Sequence, residues 1–150
     1  MNVDLGDIKV RNRLLMYKSY VQLLKPVLGS NLGVRSIDAI AAILFYTNQI
    51  KGEYKTIPEL KKALGTQKAK SAIRDLVPEM YPDDKKKFMH SIDDKYFNVI
   101  TTELRKRGFI QEDPASNMRE KSVMLKNAKI FNVAFKDDIE IELNVKVVIQ

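Results

Sequence analysis

The run Ile37-Asp38-Ala39-Ile40-Ala41-Ala42-Ile43-Leu44-Phe45 constrains the fold more than any other stretch of this 150-residue chain. Ile37, Ile40, Ala41, Leu44 and Phe45 recur at helical spacing, and the residues between them leave little polar face for water. A helix of that kind is stable only with other elements packed around it, so the sequence predicts a central core helix over 37–49. Ser36 reads as its N-cap, with a hydroxyl able to accept an orphan N–H of the first turn, and Lys51-Gly52 as its end.

The remaining elements are placed around that helix. Leu14, Val21, Leu24 and Leu28 predict a helix over 12–28, bent or stopped near Pro26. Gly29-Ser30-Asn31-Leu32-Gly33 then breaks the chain, dividing an N-terminal helical extension (1–33) from a main domain (34–150). Thr56-Ile57-Pro58-Glu59 is a capping box opening a short helix that stops at Gly65. Ala72, Ile73 and Leu76 predict a helix ending before Pro78. Residues 80–90 read either as a loop or as a short helix starting at Pro82 or Asp83. Ser91-Ile92-Asp93-Asp94 is a second capping sequence. It opens a helix over 92–107 with Phe97, Ile100 and Leu104 inward, Gly108 as its exit, and Arg105, Lys106 and Arg107 against the dipole.

From Phe109 the period changes. Phe109-Ile110-Gln111 is strand-like, and Pro114 to Lys121 reads as a mixed-charge loop. Phe131, Val133 and Phe135 alternate across Lys129–Phe135, Lys136-Asp137-Asp138 reverses the chain, and Ile139 to Ile149 alternates throughout. Helices followed by a hairpin make an α+β layout.

The composition closes several functional classes. The absence of cysteine excludes zinc fingers, iron–sulfur clusters and thiol catalysis, and the single histidine, His90, excludes a site built from several imidazoles. Neither phosphate-binding glycine motif is present. The carboxylate pairs Asp83-Asp84 and Asp137-Asp138 sit at turns without a helper, so the expectation is a non-enzyme with no cofactor and no metal. The opening residues MNVDLGDIKVRNR lack a hydrophobic signal region, and no run approaches about 18 apolar residues, which predicts a cytoplasmic chain away from membranes. A formal charge of +7 raises the prior for a polyanionic partner, nucleic acid first. Residues 130–150, with two basic and four acidic side chains, are the least suited to face phosphate.

The sequence Leu104-Arg105-Lys106-Arg107-Gly108-Phe109-Ile110 resembles the L-x-x-x-G-x-I close of the recognition helix and first wing strand in winged helix-turn-helix domains of the MarR-like regulators. The overall cadence, including IDAIAAILFYTNQ, is also similar to small winged-helix proteins encoded by large bacteriophages. The resemblance covers roughly 34–136. It implies a winged helix-turn-helix with an N-terminal helical extension and a C-terminal β-hairpin. It implies double-stranded DNA as partner, with helix 92–107 in the major groove and transcriptional regulation in the host cytoplasm as the role. It also implies a homodimer, through the N-terminal helix or the C-terminal strand. Three features depart from the pattern: the long 66–90 link, the long last strand, and Asp93 and Asp94 where phosphate would approach.

On that reading the face opposite Phe97, Ile100 and Leu104 presents Lys95, Asn98, Thr101 or Thr102, and Arg105, with Lys106 adjoining. Asparagine can pair with adenine, and arginine with guanine or phosphate. Val99 suits a thymine methyl or a protein partner equally. Arg119, Lys121, Lys126 and Lys129 lie in the loop before the hairpin and at its start, where a wing rests on the phosphate backbone. The alternative is a non-enzymatic assembly or interaction module, such as a virion component. It would use the same fold and the terminal strand to bind phage or host protein partners.

Overall fold

The computed structural model describes residues 5–26, 32–115, 117, 120–126 and 128–136. Its centre is the apolar run, carried on α2 (Val34–Ile50), in which every side chain from Ile37 to Phe45 is buried. Gly33 rather than Ser36 occupies the N-cap, because the helix begins two residues upstream of the serine and takes it into the first turn. Thr47 is buried one turn before the C-terminus, and its hydroxyl donates to the Ile43 carbonyl at 2.7 Å.

α1 (Leu5–Leu24) lies along α2 and ends before Lys25-Pro26, where proline cannot continue the ladder. Leu14, Tyr17 and Val21 project from one face into the core that α2 organises. α3 (Ile57–Ala63) starts from the capping box. The Thr56 hydroxyl accepts from Glu59 N at 3.3 Å, and the Glu59 carboxylate accepts from Lys55 N at 3.3 Å. Thr66 caps α4 (Gln67–Leu76) by accepting from Ala69 N, a contact of a kind that contributes about 1 kcal/mol.

A 3-10 turn over Pro78–Met80 leads to α5 (Asp84–Met89), capped by Asp83, so the 80–90 stretch is a short helix and not a loop. α6 (Asp94–Lys106) is capped by Asp93, whose carboxylate accepts from Tyr96 N at 2.7 Å. Ser91, two residues too early to cap, instead donates to the Lys87 carbonyl. Gly108 leaves α6 with φ +83°, a backbone conformation costly for any residue with a Cβ.

The expected winged helix with a C-terminal hairpin is not what the chain forms. Helices dominate, and among the described residues there is no β-strand. Phe109–Gln111 is extended but makes only a single antiparallel bridge, Ile110 to Leu125, flanked by Gln111 N to Met124 O and Lys126 N to Phe109 O. The stretch read as the first hairpin strand is helical instead: α7 (Ala128–Phe131) followed by a 3-10 turn over Asn132–Phe135.

The physical reason is visible in what is buried. Ile130, Val133 and Ala134 point inward, an i, i+3, i+4 set, whereas alternation would have buried Phe131, Val133 and Phe135 together. Phe131 and Phe135 meet edge to face with centroids 4.9 Å apart, as neighbours one turn apart can. The carbonyls ending this segment are satisfied by older parts of the chain. Asn48 donates to Ala134, Lys51 to Phe135, and Arg13 to Lys136. The long alternating stretch, 139–149, lies outside the described residues.

Candidate nucleic-acid interface

α6 is anchored by Phe97, Ile100 and Leu104, all buried against α2 and α4. With those three inward, helical geometry turns Lys95, Asn98, Val99, Thr102 and Lys106 to the opposite side as one stripe. Lys95, Val99 and Lys106 are exposed, and Asn98 and Thr102 are half-buried. Thr101 does not belong to this stripe. One position after Ile100 and three before Leu104, it is 2% exposed, and its hydroxyl donates to the Asn98 carbonyl. Of the two threonines that the sequence left open, Thr102 is the accessible one.

Arg105 sits on the flank of the helix. Its Nη2 donates to the Ser122 carbonyl at 3.0 Å, so it grips the protein's own loop instead of standing ready to read a base. Lys121 is half-buried near it, sharing a cleft with Thr102, Arg105 and Lys106. Lys126 is exposed, one residue past the bridge. Lys129 is carried on α7, and Arg119 lies outside the described residues.

A larger open cleft of about 1090 Å³ adjoins the first turns of α6. Lys95 and Asn98 form one wall, with Lys62 from the end of α3, Thr66 from the α3–α4 turn, and Asn117 and Glu120 facing them. Lys62, Thr66 and Asn117 escaped the sequence reading because only tertiary packing brings the α3–α4 turn beside α6. The contact that does so involves Gly65: a Cβ built there would lie 2.7 Å from the Glu120 carbonyl oxygen. Nearby, Val123 N donates to the Leu64 carbonyl at 3.1 Å.

The two carboxylates at the start of α6 are both occupied. Asp93 caps the helix, and Asp94 is ion-paired with Arg74 from α4. Behind the C-terminal half of α6 lies a second charged group. Lys70 is 5% exposed, and its ammonium is pushed down to about 8 by burial and by the Arg105 guanidinium, with Asp113 opposing. The Asp113 carboxyl is held below its ordinary value by N–H groups of Ala115 and Ser122, each at 2.9 Å, with Lys61 and Arg105 adding to the effect.

A separate polar cluster ties α1 to α2. Asp38, 1% exposed, is ion-paired with Lys18 at 3.1 Å and accepts a hydrogen bond from the Tyr81 hydroxyl. Burial first, and then Asp38, raise the Tyr81 phenol well above its usual range, which keeps it a donor. The His90 ring stacks on Tyr81 with centroids 3.7 Å apart. Arg11 and Arg13 also bond within the fold, to the Glu79 carbonyl and the Tyr17 hydroxyl. Arg11, Arg13 and Lys18 of α1 therefore serve internal contacts.

Among the described residues no three His, Asp or Glu side chains gather as a metal site, and no helix is long and apolar enough to cross a membrane. Comparisons with models of protein families, with curated proteins and with solved structures find no match.

Proposed function

We propose that this chain is a non-enzymatic protein that binds double-stranded nucleic acid through the outer face of α6 and acts as a regulator by occupying DNA. The observation that carries the reading is the stripe Lys95-Asn98-Thr102-Lys106, a line of donors set between two clefts and backed by a buried core face. A helix of 13 residues spans about 20 Å at 1.5 Å per residue, enough to follow a major groove for several base pairs. Pairing of Asp94 with Arg74, which also pairs with Asp75, offsets part of the negative charge at the end where phosphate would approach. The chain's +7 supplies sequence-independent attraction.

The test is the double variant Lys95→Ala/Lys106→Ala against a mixed-sequence duplex. Removal of two phosphate contacts weakens binding and lowers the log–log salt slope by about 1.8, at about 0.9 per contact. Unchanged affinity and slope remove α6 from the interface.

A second reading, a protein-interaction module, is favoured by the apolar side chains that α5 and α6 leave in water: Phe88 is 83% exposed, Met89 62% and Val99 56%. Duplex binding that tolerates the double variant, together with loss of a protein contact on Phe88→Ser, would favour this reading over the first.

A further inference from the structure

We propose that the cleft between the C-terminal half of α6 and residues 112, 113 and 121 binds one phosphate group of a nucleic-acid backbone, an inference that rests on the nucleic-acid reading above. The cleft is an open depression of about 330 Å³ that brings together Thr102, Arg105, Lys106 and Lys121, with Glu112 and Asp113. Three cations and a hydroxyl are the side chains a phosphate oxyanion takes, and the arginine fork suits it best when already held in place.

Arg105 is held in place. Its Nη2 is fixed to the Ser122 carbonyl at 3.0 Å, and Ser122 N in turn donates to the Asp113 carboxylate at 2.9 Å. Asp113 is thereby a brace for the loop. One of its oxygens takes Ala115 N and the other takes Ser122 N, so its charge is largely directed into the backbone. Glu112 is exposed and remains the one opposing carboxylate; its backbone carbonyl accepts from Lys61 Nζ at 2.9 Å.

Lys70, buried on α4, adds positive charge from behind. It is near enough to repel the Arg105 guanidinium electrostatically, with Asp113 opposing that repulsion. Three cations in the lining, with a buried lysine behind them, attract an oxyanion. Arg105 thus anchors a backbone phosphate and leaves base contact to Asn98 on the stripe.

The same chemistry would accept free phosphate, and two measurements separate the sources. In the first, labelled wild-type protein is titrated with inorganic phosphate, and with chloride at equal ionic strength, by two-dimensional amide and arginine side-chain NMR. Phosphate shifts Thr102, Arg105 and Lys121, chloride does not, and Lys121→Ala loses the response. Shifts scattered over exposed lysines, without Thr102 and Arg105, overturn the site.

The second measures the salt slope for a mixed-sequence duplex. It falls by about 0.9 in Lys121→Ala and stays at the wild-type value in Lys85→Ala, a lysine remote in sequence on α5. Duplex binding with an unchanged slope in Lys121→Ala removes the subsite and keeps the nucleic-acid reading. Localised phosphate shifts with no duplex binding at low salt overturn nucleic acid as the source of the phosphate.

Discussion

Asp38 interrupts an otherwise apolar stretch, and its burial makes it the most consequential charged residue on α2. Removing it leaves the Lys18 ammonium and the Tyr81 hydroxyl without the acceptor that orients them. Asp38→Ala should therefore cost at least about 2 kcal/mol, measured by denaturant unfolding. Leu104→Ala should cost about 2–5 kcal/mol, because the side chain is fully buried and its removal leaves a cavity. A surface-like cost would mean that α6 is rotated from the orientation described.

Lys70 makes a prediction in pH. Its folded value of about 8 lies below the ordinary 10.5, so between these limits the unfolded chain holds more protons than the folded one. Stability then rises with pH through that window, and the contribution is flat below pH 8, where both states are protonated. Tyr20, Tyr46 and Tyr81, all raised by burial, act in the opposite sense. The unfolded chain loses their protons first, and stability falls above about pH 10. Unfolding titrations from pH 7 to 11 should show the rise and then the fall, and Lys70→Met should abolish the rise. No local pattern marks this lysine, since nothing nearby distinguishes it from Lys68, which is exposed two residues earlier.

At the scale of elements, the helices with strong local signals were legible and the C-terminal region was not. The apolar run of α2, the Thr56 capping box and the glycine exit of α6 each rest on chemistry within a few residues. That is why the helices they define agree to within a few positions. The cap of α6 moved from Ser91 to Asp93 because two candidate acceptors stand two residues apart and the carboxylate takes the N–H of Tyr96. Residues 129–135 misled for a different reason. In seven residues, burial of Ile130, Val133 and Ala134 fits one helical turn, while Phe131, Val133 and Phe135 fit a strand, and only the partners provided by Asn48, Lys51 and Arg13 decide between them.

Gly65 is the joint at which the α3–α4 turn meets the loop. Gly65→Ala would push Cβ onto the Glu120 carbonyl, which is backbone and cannot swing away, and should cost about 1–3 kcal/mol while opening the larger cleft. Gly108→Ala meets no neighbour and should cost only the φ penalty, about 1 kcal/mol. Thermal unfolding of the pair tests the distinction: equal shifts would contradict the close approach at Gly65.

At the scale of the whole molecule, the periodicity of α6 was enough to find the outward stripe, because Phe97, Ile100 and Leu104 fix its rotation. It was not enough to find the walls of the clefts. Lys62, Asn117 and Lys70 reach α6 only through tertiary packing, and Arg105 proved to hold a loop whose position no local pattern encodes. Charge behaves similarly. The net +7 is read from composition, yet its distribution depends on pairings such as Asp94 with Arg74 and Asp38 with Lys18, which no spacing rule supplies.

The central claim, that this chain binds nucleic acid, is tested most directly by fluorescence anisotropy of a labelled mixed-sequence duplex with wild-type protein across a range of salt. The account predicts saturable binding at low salt that weakens along a straight log–log line, its slope counting the phosphates engaged. Absence of binding at low salt, in a protein of this charge, would contradict it.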